Sequence, residues 1–573
     1  MISRRNFLEY LALAGGAAAL QRSIPAANAA TERMYDPQRF GNLSLLQIGD
    51  THAQLNPTHY REAEVNIGLG AEANLPPFLV AEHLLERYRV VPQTLRAHAL
   101  SPGSFAELAG IYGPTGGYAY LATVIKQLRA SRPDSLLLDC GDSFQGSGPA
   151  LWSRASDMVA ATRLLGVDAM SGSGEYSLGA DRLAEIFLGE LRGQTAFLAH
   201  NAPDVPGTRQ PARPYAVYFL AGVPVGVIGH AFPYGERFGE RFLHPEWAVG
   251  VDEAQLQLTV EAVRAKGVRL VVLISQAGLA ADIKLASRVQ GIDIVLSGRS
   301  HDPLPEPIVV PNAAGRTLVS SVGAYGKFCG VLDLELKDGS LRDYRFNLIP
   351  IFSNLIAPDP EMDALIRKYR VPFGRQLDVK LADNEALLYR RGNFASSTDQ
   401  LILNAMLAAR DAQIAFTPGF RWGTTILPGE DITVERLLEQ TAVWDSGMRV
   451  ETLSGAVIRQ RLETWLTDTF NPDPYLRSGE DMVRVAGLSY RCNPAAENGA
   501  RVSEVLVGGK PLNNRGTYRT VSWGLPGSVP SENEPIWTVV ADYLKQIKTV
   551  RPLALSKPRL DGVDSNRGYF ELG

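Results

Sequence analysis

The first two thirds of the chain alternates short apolar segments with amphipathic ones, and this alternation constrains the fold most strongly. The apolar segments have the length of strands and include LSLLQIGD, SLLLDCGD, VRLVVLISQ and IDIVLSG. Segments with helical periodicity, such as EAQLQLTVEAVRAKG, lie between them. This order predicts an α/β fold in which sheets are covered by helices. A proline-containing helical stretch then precedes a second α/β region.

The length of 573 residues is enough for at least two domains. We predict an export signal at residues 1–29, a first domain at 40–352, a linker helix at 353–376 and a second domain at 377–573. Residues 57–110 show no clear period, so we expect a surface elaboration there.

The N-terminal segment has the features of an export signal. SRRNFL precedes the apolar run LALAGGAAAL, and Ala27-Asn28-Ala29 is a small-x-small cleavage site. The arginine pair, Arg4 and Arg5, is typical of the twin-arginine pathway. We therefore expect a periplasmic protein that does not insert into the membrane after signal removal.

Charge and cysteine content exclude several classes of function. The formal net charge is −4, which does not favour nucleic-acid binding. The three cysteines, Cys140, Cys329 and Cys492, are too widely spaced for a zinc cluster and too few for a disulfide framework. We expect them to be small buried residues, with one disulfide at most, and the protein to be a monomer.

Polar residues follow successive apolar segments, at the points where the predicted strands end. They are Asp50 and His52, Asp142, Ser173 and Glu175, Gln276, and finally Arg299 and His301. A single aspartate after a strand is commonly a helix cap. Carboxylates and imidazoles that converge at the carboxyl edge of a sheet instead build a site for a divalent ion. Five such positions in this order predict a metal site.

The sequence resembles the 5'-nucleotidase-type metallophosphoesterases and, among them, the SoxB-type thiosulfohydrolases of bacterial sulfur oxidation. The resemblance covers nearly the whole chain after the signal. General family motifs correspond to GDTHAQL and DCGDSFQGSG, and SoxB-like segments include YRRGNF, GFRWGTTILPGEDIT and FNPDPY. The resemblance implies a four-layer αββα metallophosphoesterase domain followed by a 5'-nucleotidase-type C-terminal α/β domain.

The resemblance also implies which residues bind metal. The ligands of the first metal site would be Asp50, His52, a bridging Asp142 and His301. The three further positions of the second metal site hold Ser173, Gln276 and Arg299 instead of ligands typical of the family. Because a guanidinium only donates hydrogen bonds, Arg299 cannot bind a cation. We predict one manganese ion with Arg299 in place of the second, although the neutral oxygens of Ser173 and Gln276 leave two ions possible.

Two further histidines end apolar segments, namely His200 and His230. They are either substitute metal ligands or hydrogen-bonded structural histidines. Glycine at position 174 replaces a bulky residue of both related groups, so we expect a wider pocket there. Glu175, which follows it, is retained and is a candidate helix cap.

The function implied by the resemblance is hydrolysis of a cysteine S-thiosulfonate on a SoxYZ-type carrier protein, with release of sulfate. Arg299 and Arg421 would bind the anionic group, and Asn393 would line the domain interface. One alternative is a non-catalytic paralogue that binds a sulfur carrier or anion. The other is a 5'-nucleotidase-type phosphoesterase, which is disfavoured because Met482 stands where a base-stacking ring is expected.

Overall fold

The computed structural model of the protein describes residues 34–202, 211–234, 250–442, 447–477, 479, 481–525 and 534–570. The predicted export signal lies outside these residues. Within them, no helix combines the length and the apolar character needed to cross a membrane.

The first domain contains two six-stranded mixed sheets. Its strands are β1 (Leu43–Ile48), β2 (Ser135–Asp139), β3 (Ala169–Met170), β4 (Ala196–Phe197), β5 (Tyr215–Leu220), β6 (Val223–His230), β7 (Leu270–Ser275), β8 (Ile294–Ser297), β9 (Ile308–Asn312), β10 (Gly315–Ser321), β11 (Phe328–Lys337) and β12 (Ser340–Pro350). The strand orders are β12-β11-β1-β2-β3-β4 and β5-β6-β7-β8-β10-β9. Strands β1 to β4 run parallel in the first sheet, as do β6, β7, β8 and β10 in the second.

The two sheets pack face to face, with helices on both outer faces. Apolar side chains from both sheets form the central core, among them Leu45, Leu138, Val272 and Leu296. The helices of this domain are Ala81–Arg87, Leu95–Leu100, Phe105–Tyr112, Tyr118–Ser131, Gly148–Ser153, Ser156–Leu165, Ala180–Glu185, Glu253–Ala265 and Leu279–Arg288, with short 3-10 or π segments at Gly70–Glu72, Gly174–Leu178 and Ile186–Glu190. The predicted αββα arrangement is confirmed.

The predicted linker region contains the helix Pro360–Arg370, and the short helix Gly374–Leu377 begins in it and ends one residue beyond it. Asp359 caps the longer helix, since its side chain accepts a hydrogen bond from the backbone N–H of Met362. Met362 and Ile366 of this helix are buried in the core of the first domain. The helix is therefore part of the outer layer of that domain as well as a connection.

The second domain is also α/β. Its strands are β13 (Lys380–Asn384), β14 (Ile414–Gly419), β15 (Ile432–Thr433), β16 (Met448–Ser454), β17 (Asp481–Ala486), β18 (Leu488–Cys492), β19 (Val502–Val507), β20 (Lys510–Pro511), β21 (Thr517–Trp523), β22 (Thr549–Val550) and β23 (Arg559–Leu560). Its helices are Ser397–Arg410, Val434–Thr441, Gly455–Thr469, Pro474–Leu476 (a 3-10 helix) and Ile536–Ile547. The sheet orders are β15-β13-β22, β16-β21-β14-β17 and β20-β19-β18-β23.

The expectation of a surface elaboration at residues 57–110 is wrong for its first part. Residues 58–64 are buried, and they bond to the second domain and to the end of the chain. Thr425 N–H donates to the carbonyl of His59, and Phe570 N–H donates to the carbonyl of Glu64. The segment lacks a period because irregular backbone contacts of this kind, and not a helix or a sheet, bury it.

Candidate metal centre at the domain interface

The candidate site lies where parallel strands of both sheets end. Asp50 and His52 follow β1, and Asp142 follows its parallel neighbour β2. Gln276 follows β7, and Arg299 and His301 follow the parallel neighbour β8. Asp50, His52, Asp142, Arg299 and His301 all have positive φ, between 48° and 70°. Such backbone is uncommon for residues other than glycine and is concentrated at functional sites.

Three side chains converge as a metal-binding group. One ligand atom each from Asp50, His52 and His301 lies within 4.8 Å of the other two. The His301 Nε2 atom is 3.1 Å from His52 Nε2 and 3.5 Å from Asp50 Oδ1. All three residues are at most 3% exposed. Two imidazoles and a carboxylate are a donor set suited to a divalent transition-metal ion.

The ring of His301 is oriented as a ligand by the second domain. Its Nδ1 atom lies 3.1 Å from the backbone carbonyl oxygen of Arg421. Because a carbonyl only accepts, Nδ1 carries the proton and Nε2 presents a lone pair towards Asp50 and His52. Burial, followed by the positive charge of Arg391, lowers the pKa of His301 to about 3, so the ring is neutral at physiological pH.

Asp142, the predicted fourth ligand, lies beside this group and not within it. Its Oδ1 atom is 3.9 Å from the Nδ1 atom of His52, on the opposite side of that ring from His301. Gln145 Nε2 donates to the same oxygen over 3.0 Å. Burial opposes ionisation of Asp142, but His52 and the Arg299 guanidinium outweigh it, so the pKa is lowered. Because burial lowers the pKa of His52 to about 4, Arg299 supplies the positive charge at neutral pH.

Glu175 organises the loop that carries Asp142. Its carboxylate accepts hydrogen bonds from four backbone N–H groups, those of Ser173, Asp142, Ser143 and Phe144, over 2.6–3.2 Å. Glu175 therefore ties two strand ends together, a larger role than the helix cap considered from the sequence.

The expected widening of the pocket at Gly174 is wrong. A Cβ atom at this position would lie 2.4 Å from both Asp142 Oδ1 and Gln145 Cγ. The side chain of Gln145 therefore fills the space that a bulky residue at position 174 would need.

The three second-site replacements surround the two aspartates as hydrogen-bond donors. Gln276 Nε2 lies 3.2 Å from Asp50 Oδ1, and Ser173 Oγ lies 3.5 Å from Asp142 Oδ2. The backbone N–H of Arg299 donates to Asp50 Oδ2 over 2.9 Å, and its guanidinium carbon lies 4.4 Å from the ring centroid of Phe232. All three residues therefore lie at the site, where they donate hydrogen bonds to the carboxylates of Asp50 and Asp142.

The two candidate substitute ligands pair with each other. His200 Nε2 lies 3.0 Å from His230 Nδ1, and both rings are buried. Neither belongs to the Asp50, His52 and His301 group. The reason is local, since His200 N–H donates to the carbonyl of Gly229 and so brings the two strand ends together. His200 and His230 are therefore a hydrogen-bonded pair outside this group, and their role as substitute ligands stays a prediction.

The structure places Arg421 and Asn393 at the domain interface. Arg421 Nη1 lies 3.3 Å from Asp302 Oδ2, and its Nε lies 3.6 Å from Asp481 Oδ1. Asn393 accepts a hydrogen bond from the backbone N–H of Ile67 and donates to Asp481. A cavity of about 80 Å³ between the domains is lined by residues that include Asn66, Phe78, Asp302, Asn393, Arg421 and Asp481. The Arg421 guanidinium borders this cavity while it is paired with acids.

Sequence reasoning missed several residues that support the group. The Tyr325 ring lies 5.2 Å from the His52 ring, and its hydroxyl accepts a hydrogen bond from Gly423 N–H. Arg391 donates to the backbone carbonyl of His301 and to the Asp302 carboxylate. Two adjacent arginines in YRRGNF were the one available signal for Arg391.

A four-layer αββα domain with this Asp-x-His group at its strand ends defines a protein of the metallophosphoesterase class. A family model described as the 5'-nucleotidase C-terminal domain matches residues 382–526. The chain is 32% identical to the sulfate thiohydrolase SoxB of Thermus thermophilus, solved in complex with glycerol. That alignment covers 92% of this chain and 98% of that one, with a TM-score of 0.85. The chain belongs to the SoxB-like members of the 5'-nucleotidase superfamily.

More distant relatives fit the same assignment. The 5'-nucleotidase of Bos taurus is 27% identical over 277 residues, which are 45% of this chain and 47% of that protein. The chain thus spans about half the length of that curated relative. UshA of Yersinia enterocolitica is 23% identical, covering 72% of this chain and 80% of its own. A 5'-nucleotidase precursor from Thermus thermophilus shares the fold, with 22% identity and a TM-score of 0.73.

Proposed function

We propose that the protein is a metal-dependent hydrolase that releases sulfate from a cysteine S-thiosulfonate on a SoxYZ-type carrier protein. The observation that carries this proposal is the buried group of Asp50, His52 and His301, together with a cavity between the domains that is lined by Ser300 and Asp302, the chain neighbours of His301. The family membership supports the substrate class, and we propose that export by the twin-arginine pathway brings the protein to the periplasm.

One manganese ion is the cofactor that we propose. The donors fit such an ion, because His301 presents a lone pair at Nε2 and a carboxylate oxygen lies 3.5 Å away. Asp50, His52 and His301 would hold the ion, with Asp142 adjacent. When bound, a divalent ion supplies Lewis acidity, which makes a water molecule a stronger nucleophile at neutral pH.

The residues of the chain have distinct tasks in this proposal. Arg299, the fixed cation near Asp142, orients the sulfonate oxygens by paired hydrogen bonds. Arg421 closes the cavity from the second domain and contributes a second positive charge. In the reaction, the oxygen of water bonds to the sulfonate sulfur, and the bond between this sulfur and the neighbouring sulfur of the carrier breaks. Sulfate is released, and the carrier cysteine keeps a persulfide that takes up one proton of the water.

A specific observation favours one alternative, a non-catalytic protein that binds a carrier or anion. Gln276 and Arg299 already donate hydrogen bonds to Asp50, which gives this carboxylate partners within the protein. A 5'-nucleotidase activity is not favoured, because Met482 is fully buried and presents no ring to a nucleobase.

The test combines metal analysis with turnover. The protein is purified after manganese supplementation, its metal content is measured, and sulfate release from a thiosulfonated carrier is followed beside phosphate release from AMP. We expect about one metal per chain and sulfate release that is lost in Arg299→Met. The control is His83→Ala, a histidine that belongs neither to the metal-binding group nor to the lining of the cavity between the domains.

The other outcomes each decide against the proposal. Bound metal without sulfate release supports the non-catalytic alternative, and faster phosphate release from AMP supports a nucleotidase. Protein without bound metal after supplementation rules out a metal-dependent hydrolase of either kind.

A further inference from the structure

His301 occupies a backbone conformation that needs external support. Its φ is 58°, in the left-handed region, which is sterically unfavourable for a residue with a Cβ. The carbonyl of the same residue accepts a hydrogen bond from Arg391 Nη1 over 3.0 Å. Arg391 lies in the second domain and is 1% exposed, so this bond is shielded from water.

The second arm of the Arg391 guanidinium fixes the next residue. Nη2 donates to Asp302 Oδ1 over 2.7 Å, while Nη1 also donates to the Tyr60 hydroxyl over 3.2 Å. A planar guanidinium that bridges the His301 carbonyl and the Asp302 carboxylate fixes the direction of the intervening peptide. That direction determines where the His301 ring points.

A second contact from the same domain is made to the ring of His301. The Arg421 carbonyl accepts the Nδ1 proton and so selects the tautomer with a lone pair on Nε2. Two residues of the second domain, separated by 30 positions in sequence, therefore hold one metal ligand of the first domain.

We propose that Arg391 is a positioning residue for His301, and that the metal affinity of the first domain depends on the docking of the second domain through Arg391. Because such coupling is reciprocal, metal binding in turn stabilises the domain interface. The proposal rests on the metal group and not on the substrate, so it holds for a hydrolase and for a binding protein alike.

The direct test is manganese affinity, measured by competition with a chelator on the full chain. Arg391→Met is expected to weaken binding by about 10- to 100-fold, the usual effect of losing a residue that orients a metal ligand. Arg391→Lys is expected to recover part of this loss, because an ammonium can still donate to the His301 carbonyl but cannot form the planar bridge.

Arg132→Met is the matched control. Arg132 is equally buried and forms a bidentate pair with Asp333, at 2.8 and 2.9 Å, inside the first domain. The Arg132→Met substitution removes a buried ion pair of the same kind that does not contact His301. Manganese affinity should therefore be unchanged in this variant. Wild-type affinity in Arg391→Met, or an equal loss in Arg132→Met, would overturn the proposal.

Hydrogen exchange on the wild-type chain keeps the proposal testable if Arg391→Met does not fold. Added manganese should slow amide exchange in the segment around Arg391 in the second domain. The exchange rate should stop changing once the metal site is saturated. Unchanged exchange in that segment with manganese bound would contradict the coupling. Neither measurement depends on sulfate release, so failure here is distinct from failure of the proposed reaction.

Discussion

The two halves of the site differ in what faces their shared carboxylates. In the preserved half (Asp50, His52 and His301), two neutral imidazole rings and a carboxylate converge within a few ångströms. In the converted half (Ser173, Gln276 and Arg299), a hydroxyl, an amide and a backbone N–H donate hydrogen bonds to Asp50 or Asp142, and the Arg299 guanidinium adds a positive charge near Asp142. One half has the donor atoms for a cation, and the other supplies a cation of its own.

The acids themselves show the same difference. Burial, and then the negative charge of Asp142, raise the pKa of Asp50 to about 7. The pKa of Asp142 is lowered, because His52 and Arg299 outweigh its burial. The charge of Arg299 therefore reaches Asp142 and leaves Asp50 poorly compensated. A divalent ion held by the preserved half would stabilise this buried carboxylate.

The largest expected effect is the loss of metal when the preserved half is broken. His301→Ala removes the ring whose lone pair faces both Asp50 and His52, so we expect manganese affinity to fall by more than about 100-fold. Metal content after dialysis and a chelator competition check this. His83→Ala, whose half-exposed ring lies near Glu86, is the control. Retention of about one tightly bound metal in His301→Ala would show that the group is not the site.

The second effect is a change in metal stoichiometry when the converted half is restored. The triple variant Ser173→Asn, Gln276→His and Arg299→His replaces three donors by ligand atoms and removes the fixed positive charge. We expect metal content to rise from about one towards two ions per chain. Arg299→Lys, which keeps the charge, should stay at about one. A triple variant that folds and still binds one ion would mean that Arg299 is not what excludes the second.

Local patterns in the sequence predicted sheets covered by helices and a metal site at the strand ends, while the four-layer αββα arrangement and the choice of ligands were implied by the family resemblance. Apolar runs that end in Asp50, His52 and His301 can be recognised one strand at a time. The position of Asp142 on the far side of His52 could not be predicted, since it depends on how Gln145 fills the space beside Gly174.

Contacts between distant segments left no sequence signal. The pairing of His200 with His230 follows from a backbone bond between strand ends of different sheets. The role of Arg421 is similar, because its carbonyl contacts His301 and a carbonyl is present in every residue. A side-chain motif could suggest the Arg421 guanidinium as a functional group, but only the packed domains show its backbone at the site.

The smallest effect on the site itself is expected from Asp282, which joins the ends of the two strands that precede Gln276 and Arg299. Its carboxylate accepts hydrogen bonds from Ser275 and Ser297, the last residues of β7 and β8. Burial raises its pKa to about 7, although both serine bonds lower it. Its pKa in the unfolded chain is about 4, so between the two values the folded protein holds a proton that the unfolded chain has lost.

This contribution to stability is full below about pH 4 and is lost as the pH rises to about 7, at about 1.4 kcal/mol per pKa unit. Asp282→Asn cannot titrate, so its free energy of unfolding should depend less on pH in that window, while metal content stays unchanged. Exposed Asp343→Asn should keep the wild-type slope. Equal slopes for wild type and Asp282→Asn would show that this carboxyl is not a titrating link between the two strand ends. A metal loss in Asp282→Asn would instead show that the preserved half depends on the geometry of the converted one.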